Sequence, residues 1–108
     1  MRWGDILTVA ISGDYGKPRP AVVIQADWLD ESDSVLCCLI TTVDRDATLY
    51  RLPVPATGET GLQQVSWIMV EKVFPLRRAK CGAVIGHLPP GSTLALNVML
   101  GAVTGLSA

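Results

Sequence analysis

Arg19 is the residue in this sequence best placed to do chemistry, because it stands between two prolines at the start of an apolar run: Lys17-Pro18-Arg19-Pro20-Ala21-Val22-Val23-Ile24-Gln25. Pro18 has a restricted φ and Pro20 steers Arg19 away from helical geometry, so the guanidinium is presented from an extended backbone. The Val22-Val23-Ile24 run reads as a strand covered on both faces. A cation held rigidly at the mouth of an apolar sheet suits phosphate or carboxylate, which a guanidinium grips through two parallel hydrogen bonds. The plainer alternative is a surface arginine pairing with Asp14 or Asp5 across a loop.

The elements that must position Arg19 follow from the rest of the pattern. Residues 4–11 have strand composition and end at the turn-forming Ser12-Gly13-Asp14. Further strands are expected over 19–26, 35–42, 48–54, 64–73 and 83–87, with Pro53 favouring a sheet edge. Closely spaced strands joined by short connections predict an antiparallel sheet curled into a small barrel. Pro89-Pro90-Gly91 then breaks the sheet, and Ser92 or Thr93 is expected to cap a helix reaching about residue 106. That helix carries no charge, and its apolar arc is wider than the stripe of an ordinary surface helix. Burial on two sides is expected, against the sheet and against another subunit. It is too short to span a bilayer, so no membrane role is expected.

Composition narrows the function classes. The 108 residues fit one domain, and with 49% hydrophobic residues there is material for a core. A net charge of −1 and a pI near 5.6 argue against broad electrostatic binding of nucleic acid. Any polynucleotide must be held by a local patch, drawn from Lys17 and Arg19, Arg45 and Arg51, and Lys72, Arg77, Arg78 and Lys80. Asp27, Asp30, Glu31 and Asp33 cluster in one loop and form a separate acidic face. Three cysteines without CxxC spacing make neither a disulfide framework nor a metal site. Cys37 and Cys38, adjacent in a strand, point to opposite faces as small buried hydrophobes. The first ten residues have no continuous apolar stretch, and the cytoplasm is the expected compartment.

Several segments together resemble one family. Arg2-Trp3-Gly4-Asp5-Ile6-Leu7, Gly16 to Gln25, Leu39-Ile40-Thr41-Thr42, Ser66 to Val73, Val84-Ile85-Gly86-His87-Leu88 and the terminal helix follow the order and spacing of the MazF/PemK toxins of bacterial toxin-antitoxin pairs. The resemblance covers essentially the whole chain. It implies an SH3-like barrel of antiparallel strands with a C-terminal helix, assembled as a homodimer. It also implies cleavage of single-stranded RNA without metal or other cofactor, leaving a 2′,3′-cyclic phosphate and a 5′-hydroxyl, and control by a cognate antitoxin with an acidic disordered tail.

On the same resemblance Arg19 matches the family's catalytic arginine, and Thr41 its phosphate-binding threonine; Thr42 takes that role if the alignment slips by one. Glu71 falls where PemK-type members carry an acidic residue proposed as a base; its plainer reading is a solvated strand charge paired with Lys72 or Arg77. Tyr15, Lys17, Gln25, Thr42, Ser66, Arg77 and Arg78 are the expected RNA-binding residues. The sequence departs from the pattern at Met69, where those members place a second arginine two residues before the acid. His87, the only histidine, is read as structural. The related CcdB toxins, which share the fold but poison DNA gyrase through the end of the helix, offer an alternative binding function. Gly105-Leu106-Ser107-Ala108 lacks their Trp-Gly-Ile ending.

Overall fold

The computed structural model describes residues 1–10 and 17–107; Tyr15 and the Ser12-Gly13-Asp14 turn lie outside the described residues. Six strands, β1 (Asp5–Val9), β2 (Arg19–Val23), β3 (Ser34–Thr41), β4 (Arg51–Val54), β5 (Ser66–Arg77) and β6 (Cys81–His87), precede one helix, α1 (Pro90–Thr104). They form a single sheet in the order β4-β5-β3-β2-β1-β6, and every pairing is antiparallel. The expected mainly-β architecture with a terminal helix is therefore observed. Pro53, exposed on β4, sits on an edge strand, where its missing N–H costs no ladder bond.

The sheet curls because its far edges are bridged. The turn that follows β4 lies against β6: the His87 amide donates to the Glu59 carbonyl at 2.9 Å. Gly61, at φ 70°, and Gly86 let the two backbones approach so closely that a Cβ on Gly61 would stand 2.1 Å from the Ile85 carbonyl oxygen.

Alternation divides the apolar residues between two clusters. Ile6, Val22, Cys38, Ile40, Ile68 and Val70 pack beneath α1, which drives the fully buried Leu96 into them. Leu7, Val9, Val23, Val35, Cys37 and Leu76 form the second cluster on the other face. Val22, Val23 and Ile24 are covered on both sides, as their continuous apolar run predicts.

β5 departs from simple alternation. Cys38 faces Val73 but Ile40 faces Ile68, so two residues of β3 are matched by five of β5. The extra residues fall between Met69 and Lys72 and reverse the phase of the strand: Ile68 and Val70 join the cluster under the helix, whereas Phe74 and Leu76 belong to the other. Such bulges bend strands and re-aim side chains. Past it the strand continues through Pro75 to Arg77, four residues beyond the expected end, held by pairing with the first half of β3.

The helix begins differently from expectation. Pro89 is the N-cap and Pro90 the first helical residue, without a side-chain cap; a proline there loses no bond and brings a suitable φ. The Thr93 hydroxyl instead donates back to the Pro89 carbonyl at 3.4 Å. Leu94 and Val98 are two-thirds exposed. Among the described residues no helix is long and apolar enough to cross a membrane.

Candidate active site

Because residues two apart share a face, β2, β3, β4 and β5 deliver Arg19, Leu39, Thr41, Arg51, Met69 and Glu71 to one cleft of about 560 Å³. Arg45 and Lys72 stand at its edge, so four basic side chains share it with one carboxylate. The three residues expected to do the chemistry, Arg19, Thr41 and Glu71, are thus brought together. Among the described residues no group of His, Cys, Asp and Glu has the arrangement of a metal site.

Arg51 is the residue that sequence reasoning underrated. It is 8% exposed and grips Glu71 like a fork: Nε donates at 3.1 and 3.0 Å to Oε1 and Oε2, and Nη2 donates at 2.9 Å to Oε2. The partner of Glu71 is therefore neither Lys72 nor Arg77. Arg51 faces Met69 directly across the β4–β5 ladder. The strand position that lacks an arginine thus has one opposite it, twenty residues away in sequence from the glutamate it holds.

The two neighbouring threonines separate. Thr41 shares the cleft with Arg19; its Oγ1 accepts the Val43 amide at 3.2 Å, which leaves its O–H to donate elsewhere. Thr42 is on the opposite side, lining a second cleft of about 310 Å³ with Pro18, Pro20, Gln63, Gln64 and Ser66.

Other expected RNA contacts are committed to the fold. Gln25 is buried, its Nε2 donating to the Leu29 carbonyl at 2.6 Å and its Oε1 accepting the Leu36 amide at 3.1 Å, so it pins the loop after β2 to β3. Arg78 donates from Nε to the Ser32 carbonyl and from Nη2 to that of Leu29, fastening the same loop from below. Ser66 is 2% exposed and donates to the Gln64 carbonyl at 2.9 Å. A cue for these was available: each lies beside a polar turn whose carbonyls need donors. Arg77 lines an apolar groove with Phe74, Leu76 and Lys80 rather than the main cleft, and Lys17 is exposed. His87 is on β6, its Nε2 3.9 Å from Glu59 Oε1.

Burial pushes the Cys37 and Cys38 thiols up to about 12. Each is fully enclosed in a different apolar cluster, as expected of small hydrophobes. In the acidic loop, the Trp3 amide donates to Asp27 at 2.8 Å and, with the nearby Arg2, holds that carboxyl below its ordinary value.

Solved structures with this curled sheet and helix are bacterial toxins. The Mycobacterium tuberculosis toxin MazF-mt6 superposes with a TM-score of 0.82 at 23% identity, covering 96% of this chain and 99% of that one. A MazE–MazF complex from Deinococcus radiodurans gives 0.81 at 17% identity, covering 99% and 98%. An endoribonuclease from a mycobacterial species, in complex with its cognate antitoxin, gives 0.84 at 13% identity, covering 100% and 98%. The chain belongs to the family of PemK-like, MazF-like toxins of type II toxin-antitoxin systems, whose sequence pattern matches residues 2–103. It is 44% identical over 89 residues to the probable endoribonuclease MazF of Mycolicibacterium smegmatis, with 82% of each chain covered.

Proposed function

We propose that this toxin cleaves single-stranded RNA, and that the cleft joining Arg19, Thr41 and the Arg51–Glu71 pair is where it does so. The observation that carries the reading is the convergence of these side chains from four strands on one face. In the proposed reaction the ribose 2′-oxygen attacks the adjacent phosphorus and the bond to the 5′-oxygen breaks. The 2′-hydroxyl loses its proton and the leaving oxygen gains one. A 2′,3′-cyclic phosphate and a 5′-hydroxyl result, with no cofactor consumed.

The barrier comes largely from negative charge on the phosphoryl oxygens. Arg19, permanently charged, is suited to stabilise that charge and unsuited to take a proton. The Thr41 hydroxyl supplies a further donor to the same oxygens. Glu71 is the carboxylate of the cleft, but accepting the 2′-hydroxyl proton would mean giving up hydrogen bonds from Arg51, so the two roles compete.

The partners proposed are RNA, a cognate antitoxin with an acidic flexible tail that covers the same cations, and a second copy of the chain. The exposed Leu94, Val98 and Leu106 of the helix side supply apolar surface for the dimer. The cytoplasm is the compartment in which RNA and antitoxin are met.

Purified protein incubated with mixed-sequence RNA in EDTA should produce cyclic-phosphate ends. Arg19→Ala should lower the rate roughly a hundredfold or more while circular dichroism and melting stay unchanged. A wild-type chain that leaves RNA intact defeats the reading, and undiminished cleavage by Arg19→Ala removes that residue from it.

A further inference from the structure

We propose that Arg51 is a second phosphate-binding guanidinium of the cleft, delivered from the edge strand, and that Glu71 serves to hold it. The inference rests on the endoribonuclease reading.

Stability does not account for the pair. A buried ion pair is often matched or bettered by apolar side chains of similar volume, and Met69 directly opposite shows that such a side chain fits this face. What the fork provides is orientation. Nε and Nη2 are fixed on the two carboxylate oxygens, and Nη1, with two N–H donors, takes no part in the grip. Nor is Nη1 sealed in: the one buried side-chain nitrogen without a partner among the described residues is Trp3 Nε1.

Arg51 therefore offers donors to the cleft from a side chain that is already ordered. Arg45 and Lys72, exposed at the rim, must lose rotamer freedom to do the same. Preorganised donors are those that count when charge develops. The register adds a geometric corollary: positions 51 and 69 face each other, and Glu71 lies on the same side of β5 as Met69, so an arginine at 69 should also reach the glutamate.

The test uses the full chain and four variants: Arg51→Met, Arg51→Met with Met69→Arg, Glu71→Gln, and Arg51→Met with Glu71→Met. Two readouts are taken: RNA cleavage, and salt-dependent binding of an all-deoxy oligonucleotide that lacks the attacking hydroxyl. Arg51→Met should lower kcat at least tenfold. It should also make the log–log salt slope shallower by about 0.7, the loss of one single-strand phosphate contact. Moving the arginine to 69 should restore most of both. Glu71→Gln should cost less than Arg51→Met and leave the pH dependence of kcat in place.

Wild-type kcat and slope in Arg51→Met would overturn the proposal. So would a Glu71→Gln loss that exceeds it and erases the pH dependence, since Glu71 would then be the proton acceptor. If Arg51→Met does not fold, the variant with both residues as methionine strands no charge and carries the salt-slope measurement. RNA left whole by the wild type, with the salt slope responding to Arg51, would sink the nuclease reading alone. Cleavage with an unresponsive slope would sink this inference alone.

Discussion

The two halves of β5 use the same alternation in opposite phase. From Ser66 to Val70 the even-numbered Ile68 and Val70 face the helix; from Phe74 to Arg77 the even-numbered Phe74 and Leu76 face the other way. Between them stand Met69, Glu71 and Lys72, at the cleft. A strand of unbroken phase serves one core. A strand that reverses serves two, and at the reversal it has side chains that belong to neither. The candidate active site occupies that seam, flanked by packing on both sides, so it inherits rigidity without being buried itself.

The largest test of this contrast lies in the first half. Leu96 is sealed among Ile68, Val70 and their neighbours, so Leu96→Asp should destabilise the fold by about 4 kcal/mol or more through a buried charge. Val98→Asp, on the exposed side of the same helix, should leave the fold intact and shift the protein toward monomer. Urea titration and sedimentation read the two outcomes; a folded Leu96→Asp would refute the assignment of faces.

A smaller effect sharpens the phase itself. Thr41→Val should slow RNA cleavage about tenfold by removing one donor, whereas Thr42→Val should matter less because its side chain lines the other cleft. The reverse order would place the chemistry on the Thr42 side.

The smallest effect compares the two cores through their thiols. Cys37 and Cys38 ionise at about 12 in the fold and near 9.0 when unfolded. The unfolded chain therefore holds fewer protons than the folded one between those values, and stability falls as pH rises through that window. Each thiol contributes at most about 1.4 kcal/mol per pH unit. Urea midpoints compared at pH 8 and 10 should show the loss in wild type and less of it in a Cys37→Ala/Cys38→Ala variant; equal losses would mean that the thiols are not the cause.

Much of this was legible because a period of two writes faces directly. The doubly covered Val22-Val23-Ile24 strand, the opposed cysteines and the edge position of Pro53 all follow from local pattern. Phase reversal is not local: nothing in Trp67 to Leu76 announces extra residues, which appear only in pairing with β3. Pro75 looked like an end and is a paired position because β3 reaches that far. The Arg51–Glu71 fork depends on which residue of β4 meets which of β5, a register the loop between them does not reveal. Gln25 and Arg78 looked available because sequence shows a polar side chain but not the carbonyls waiting for it.

The order in which the chain leaves the ribosome gives the bulged seam a temporal meaning. Arg19, Thr41 and Arg51 emerge early, yet the glutamate that fixes Arg51 lies at position 71, and the leucine that plugs the core beneath it lies at 96. Non-local strand pairings form late, because the intervening chain must close before they return any energy. A prematurely terminated product would carry the cations without the architecture that orients them. For a toxin, that makes harm a property of the finished molecule, and a truncated message is a harmless one.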